Sequence, residues 1–337
     1  MVKVGVVGCG YWGPKLARNF HELPSSHLTW LCDLRQHRLD HLKELYPQVQ
    51  TTRDCRQVWD SDVDAVAIAT PVSSHHRLSL EALRRGKHVL VEKPLAASAV
   101  QAEEMVSAAA ARGLTLMVGH TFEYNPAVEA MRTIIGEGVL GEIYYARGTR
   151  VNLGLLQPDI NVVWDLAPHD ISILMFILGA DPFAVSARGE AYIQRAKGIH
   201  EVAYVTLYFP QRVMADLRLS WLDPVKMRRI TVVGSKRMLV YDDIAEDKVL
   251  IYDKGVEVPP YSDTPEEFHA SYRHGGGISH PIDWVEPLRR ECAHFIDCIT
   301  TGGCPRSDGH VGLKVVKVLE AAQRSLLNGG TSEPVTC

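Results

Sequence analysis

The chain has 337 residues, 46% of them hydrophobic and 23% charged, with a formal net charge of −4. This is the composition of an ordinary globular protein with room for about two domains. It excludes a dense Lys/Arg block, so no nucleic-acid partner is expected. The longest apolar run, Ile171 to Leu178, is far short of the roughly 20 residues that cross a bilayer, so no membrane association is expected.

The N-terminus enters a strand directly, which predicts no signal peptide. Seven cysteines at 9, 32, 55, 292, 298, 304 and 337 include no Cys-x-x-Cys. Free thiols, a cytoplasmic location and no metal site are the expectation.

In chain order, Val2–Val7 reads as an apolar strand and Pro14–Leu23 as a helix, with Pro14 in the first turn where its missing N–H is harmless. Leu28–Cys32 is a strand ending at Asp33, followed by a helix through Tyr46. Asp64–Thr70 is a strand halted by Pro71; Leu78–Arg85 is a helix, His88–Val91 a strand, Ser98–Arg112 an Ala-rich helix and Leu114–Val118 a strand. Short apolar strands alternating with helices predict a doubly wound parallel sheet.

The pattern changes after about residue 140. Glu142–Val151, Ala184–Ile193, Val202–Phe209, Val213–Trp221, Arg229–Val233 and Lys248–Val256 are strand candidates, mostly alternating in polarity. Asp165–Leu178 is an apolar helix stopped at Gly179, and Glu286–Thr300 and Val311–Leu327 are closing helices, the last capped by Asn328-Gly329-Gly330. An antiparallel sheet with one open face follows. Alternating positions such as Val202, Tyr204, Thr206 and Tyr208 call for a second subunit as cover, hence a homodimer or homotetramer.

The first strand breaks into Gly8-x-Gly10-x-x-Gly13, enclosing Tyr11 and Trp12, and then a helix. In that context the glycines let a pyrophosphate approach the backbone and sit on helix N–H groups. Asp33, twenty residues beyond Gly13, either accepts hydrogen bonds from the adenosine ribose, favouring NAD over NADP, or caps the following helix. Arg35 either stacks on adenine or binds a phosphate. Thr70-Pro71 and His75 lie after the third clear strand at the same sheet edge and are placed to line the nicotinamide half; His75 and His76 read equally as helix-start residues. The predicted fold is α/β, with a Rossmann doubly wound parallel sheet over 1–121. An α+β domain over 122–337 carries a large, mainly antiparallel open-faced sheet, and the C-terminal helices are able to pack back on the first domain.

Several motifs resemble the Gfo/Idh/MocA family of sugar and polyol oxidoreductases: Gly8-Cys9-Gly10-Tyr11-Trp12-Gly13, Ala69-Thr70-Pro71 with His75, Gly86 through Glu92-Lys93-Pro94-Leu95, Gly119-His120 with Asn125-Pro126, and Asp165-x-x-x-His169. The resemblance spans essentially the whole chain and implies NAD-dependent oxidation of a ring secondary alcohol of a sugar, with Lys93, Asp165 and His169 around the reacting carbon. His169 would then be the base, Lys93 would hold the oxygen, and Asp165 would orient the sugar or the imidazole. By the same resemblance Glu92 and Lys93 border the cofactor, and Tyr124, Asn125, Arg150, Trp164 and Arg273 border the substrate. The structural alternatives are a solvated surface charge for Lys93, a helix N-terminal acid for Asp165 and a packed imidazole for His169. Trp164 either stacks on a sugar or fills an interface; Asp170, pointing elsewhere, reads as structural. Bulky Asn161-Val162-Val163-Trp164 stands where many members have glycines, which reshapes the pocket.

Tyr272-Arg273-His274-Gly275-Gly276 through Pro281 and Trp284-Val285-Glu286-Pro287-Leu288 resemble the amino-sugar nucleotide branch, with Gly276-Gly277 where an acid is usual. That branch implies oxidation at C3 of a UDP-N-acetylglucosaminuronate-type sugar ahead of an aminotransferase, with Arg273 or Arg150 meeting phosphate or carboxylate. The alternatives are the same reaction on an aminoglycoside or other glycoside in antibiotic biosynthesis, a keto-sugar reductase, and a non-catalytic NAD(H) sensor.

Overall fold

The computed structural model describes residues 1–257 and 270–336; Cys337 lies outside them. The chain separates into two compact units, Met1–Tyr124 with Val285–Lys317, and Asn125–Trp284 with Val318–Cys337.

The first unit begins with β1 (Val2–Val7), α1 (Gly13–Glu22), β2 (Ser26–Cys32), α2 (Gln36–Leu45), β3 (Gln50–Thr52) and α3 (Cys55–Trp59). It continues with β4 (Ala65–Ile68), α4 (Val72–Arg84), β5 (His88–Glu92), α5 (Ala99–Ala110) and β6 (Leu116–Gly119). All six strands pair in parallel in the order β3-β2-β1-β4-β5-β6. Continuously apolar strands are what such a sheet requires, since helices cover both faces; every residue of β4 and β6 is buried. The short β3 and α3 were not expected. Gln50-Thr51-Thr52 has no apolar signature of its own, and it is a strand because it pairs with Trp30–Cys32 at the sheet edge.

The second unit contains α6 (Pro126–Gly136), β7 (Ile143–Leu153), α7 (Val162–Leu178), β8 (Ala184–Glu190), β9 (Val202–Tyr208), β10 (Met214–Ser220), β11 (Leu222–Gly234), β12 (Met238–Asp242), β13 (Val249–Glu257) and β14 (Ser271–Ser279). Near the C-terminus come α8 (Pro287–Thr301), α9 (Gly309–Leu327) and β15 (Glu333–Pro334). The sheet of the second unit has nine strands in the order β14-β13-β12-β11-β7-β10-β9-β8-β15. Every pairing is antiparallel except β10 with β7. On β9, Ala203, Val205 and Leu207 are buried and Tyr204 is exposed, the alternation of a sheet with one packed face.

Helix α7 starts three residues before the expected Asp165. The Asn161 carboxamide oxygen accepts from the Val163 and Trp164 amides, satisfying donors that an uncapped start would orphan. Pro168 sits inside this helix and removes one helical hydrogen bond. At the other end Gly179 adopts φ 62°, the left-handed turn that only glycine adopts without strain.

Candidate active site

In the first unit the loop after β1 is shaped by backbone approach. A Cβ on Gly13 would stand 1.9 Å from the Gly8 carbonyl oxygen, and Gly8 itself has φ +95°, so neither position tolerates a side chain. Helix α1 then opens at Trp12 with no side-chain cap. A glycine-walled cradle at a helix N-terminus without its own cap fits a pyrophosphate, the anionic centre of a dinucleotide.

Asp33 serves this loop directly. Its Oδ2 accepts from the Cys9 amide at 2.7 Å, its Oδ1 from the Arg35 amide at 2.8 Å, and Arg38 Nη1 stands 3.4 Å away. The alternative of a helix cap fails, because α2 begins at Gln36 with Arg35 as its uncapped N-cap residue. The carboxylate therefore braces the loop from the end of β2, on the adenosine side of a Rossmann sheet. Replacing Asp33 with serine should narrow the preference for NAD over NADP by about tenfold or more, since the charge opposing a 2′-phosphate is gone. Dissociation constants for both dinucleotides measure it; an unchanged ratio would remove Asp33 from discrimination.

Tyr11 is exposed, with Lys15 Nζ 3.7 Å over its ring and 4.5 Å over that of Trp12. Arg35 is exposed. Thr70 accepts at its hydroxyl from Ser74 Oγ, 2.7 Å away, just before Pro71 and α4. His75, expected to line the nicotinamide half of the cofactor, is engaged with the backbone of its own chain. It is buried, with Nε2 2.8 Å from the Thr70 carbonyl and Nδ1 2.9 Å from the Pro94 carbonyl. Burial lowers its pKa, so the neutral ring donates to one of them and ties the turn after β4 to the turn carrying Lys93. His76 is half-buried, with Nε2 2.6 Å from Glu104 Oε2.

Lys93 follows the last residue of β5 and is half-buried. Glu92, beside it, is buried, and burial pushes its pKa up to about 7 against the opposing pull of Lys93. Its carboxyl lies over Gly119 of β6, turned into the unit. His120 and Thr121 come next, and Tyr124 closes the segment as a core residue with its hydroxyl 3.0 Å from Ser307 Oγ. That placement is at odds with the substrate-contact expectation for Tyr124, since its ring and its hydroxyl are both spent on packing.

In the second unit, Asp165 and His169 stand one turn apart on α7, on a half-buried face. Trp221, buried at the end of β10, donates from Nε1 to Asp165 Oδ2 at 3.0 Å; this partner was not anticipated. Trp164 is half-buried on the turn before. The neighbouring Asp170 points elsewhere, into a two-point ion pair with Arg150: Nε to Oδ2 is 2.7 Å and Nη2 to Oδ1 is 3.0 Å, with both side chains buried. Arg150, expected to meet an anionic substrate group, meets a carboxylate of its own chain. The same holds for Arg273 on β14, which donates to Asp253 at 3.0 Å and Glu257 at 2.5 Å, and to the Lys236 carbonyl. Asn125 caps α6, its Oδ1 accepting from the Ala127 amide at 2.9 Å while its amide donates to the Tyr241 hydroxyl at 3.2 Å. Among the described residues there is no group of three side chains suited to a metal ion, and no helix is long and apolar enough to cross a membrane.

The cradle and its sheet define a dinucleotide-binding protein of the Rossmann class. The chain belongs to the Gfo/Idh/MocA family: residues 2–120 match the oxidoreductase family with an NAD-binding Rossmann fold, and residues 128–240 match the GFO/IDH/MocA C-terminal domain. A putative oxidoreductase from Magnetospirillum magnetotacticum MS-1 is 32% identical, with TM-score 0.81 over 95% of this chain and 99% of that one. The UDP-N-acetylglucosamine 3-dehydrogenase of Acidithiobacillus ferrooxidans is 27% identical over 77% of this chain and 79% of its own length. GenD2 from gentamicin A biosynthesis, solved with NAD, has TM-score 0.83 at 22% identity, over 100% of this chain and 97% of that one. The protein is thus an NAD-dependent oxidoreductase of a family of sugar dehydrogenases.

Proposed function

We propose that the protein oxidises a ring secondary alcohol of an amino sugar, C3 by preference, to the ketone, as the step before transamination. The observation that carries this reading is the Asp165–His169 face of α7, with its acid fixed by the Trp221 indole. Bound NAD supplies the hydride acceptor. His169 takes the hydroxyl proton, Asp165 orients sugar or imidazole, and the Lys93 ammonium holds the oxygen as negative charge develops on it. A nucleotide-linked substrate is supported by the 27% identical UDP-N-acetylglucosamine 3-dehydrogenase. A second reading, a neutral or cationic glycoside of the aminoglycoside kind, is favoured by the engagement of Arg150 and Arg273 with carboxylates, which lowers the attraction of either for phosphate.

A second copy of the chain is the proposed cover for the outward sheet face, where Tyr145, Met214 and Tyr208 stand in register across β7, β10 and β9. Six cysteines of the described residues are free, in keeping with a cytoplasmic protein. The test is reduction of stoichiometric NAD against UDP-amino-sugar acids and aminoglycoside precursors. Reduction by one class assigns the substrate; no reduction by any, with NAD bound, sinks both oxidation readings in favour of keto-sugar reduction or NAD(H) sensing.

A further inference from the structure

Helix α8 packs in the first unit through Leu288, Cys292, Phe295 and Ile296, a stripe of apolar residues at helical spacing. Glu291 occupies that same buried stripe, where an aliphatic side chain is the ordinary occupant. Its Oε2 accepts from Thr121 Oγ1 at 2.7 Å, while Oε1 is buried with no hydrogen-bond partner. An ionised carboxylate in that position would leave one charged oxygen unsolvated; a protonated one would not. Thr121 lies two residues after Gly119, over which the Glu92 carboxyl rests, and Glu92 is followed directly by Lys93. Two carboxyls far apart in the sequence thus come close enough to interact at the ends of β5 and β6, with Lys93 next to one of them in the chain.

We propose that Glu92 and Glu291 divide these roles as positioning residues for Lys93: Glu291 stays a neutral acid fixed by Thr121, and Glu92, the first of the two to ionise, carries the negative charge that favours the ammonium form of Lys93 above neutral pH. Like charges in a buried site cannot both be held without cost, so one carboxyl keeps its proton. The asymmetry follows from the neighbours. Glu92 faces two cations, Lys93 and Lys15, whereas Glu291 faces the acids Glu92 and Glu123. Burial first and the Glu92 charge second raise the pKa of Glu291 well above the usual range. The remaining titratable neighbours do not reverse this. Burial and then Lys93 lower the pKa of His120 to about 3, leaving it neutral; burial first, then Glu291 and Glu92, raise the Cys292 thiol well above its usual range, so it too stays neutral.

The inference rests on Lys93 being the active-site lysine, but its test needs no sugar. The pH dependence of Lys93 modification by trinitrobenzenesulfonate, read by peptide mass spectrometry on the full-length protein, reports its amine titration. Glu92→Gln should lower the midpoint by about one unit, an approximately tenfold faster modification on the acid side. Glu291→Gln should leave the midpoint in place, because an amide replaces a neutral acid. Infrared spectra of the unmodified protein above neutral pH should show the carbonyl stretch of a buried protonated carboxyl, lost in Glu291→Gln. The division of roles is overturned if Glu291→Gln shifts Lys93 as Glu92→Gln does, if neither variant shifts it, or if the infrared band is absent. A failed sugar panel would overturn the proposed activity and leave these readouts untouched.

Discussion

With a substrate in hand, His169→Ala should lower kcat by about 10²–10⁴-fold, the usual contribution of a positioned proton acceptor. His169 is on the half-buried face of α7, one turn beyond the Asp165 held by Trp221. Removing the imidazole leaves solvent hydroxide to take the proton, so the residual rate should climb with pH across the range where the parent enzyme levels off. Lys93→Ala should cost a comparable factor through lost stabilisation of the developing oxyanion. Stopped-flow formation of reduced nicotinamide separates the two. If His169→Ala keeps the parent kcat and pH profile while Lys93→Ala loses both, the lysine is the base and the assignment is reversed.

The second large effect concerns stability. Asp170→Ala should destabilise the second unit by about 3–5 kcal/mol, the cost of leaving one member of a buried ion pair without its partner. Spread over a unit of this size, that is a fall in Tm on the order of 10 °C. The charge that loses its two-point partner would be Arg150, which is buried. The double variant Arg150→Met with Asp170→Leu should recover most of the loss, because an apolar pair of similar volume carries no desolvation cost. Differential scanning calorimetry measures both. Should Arg150→Met instead leave Tm in place and abolish substrate binding, Arg150 would be an anion-binding residue after all.

These expectations differ in how far the chain alone prescribed them. The Gly8-Gly10-Gly13 loop, the strand ending at Asp33 and the strand ending at Lys93 are local patterns. Apolar runs, turn residues and helix starts lie within a few positions of one another, so their physics is complete in a short window. The alternation along Val202–Tyr208 likewise marks a half-covered sheet. Less was legible where elements depend on neighbours: α6 and β12 went unanticipated, and β11 runs from Leu222 instead of Arg229. The length of β11 is set by pairing with β7, across a register shift between Leu222 and Met227.

Thus the sequence by itself determined the dinucleotide fold, the identity of its phosphate loop and the Asp165–His169 spacing, because helix and strand periods convert residue intervals directly into faces. Tertiary structure alone decided which charges meet. Arg150 is spent on Asp170, Arg273 on Asp253 and Glu257, Asp165 is held by Trp221, and Glu291 is buried in the same unit as Glu92. A charged side chain carries no periodic signature of its partner. Its free energy is fixed by burial and by whichever group packing brings within reach.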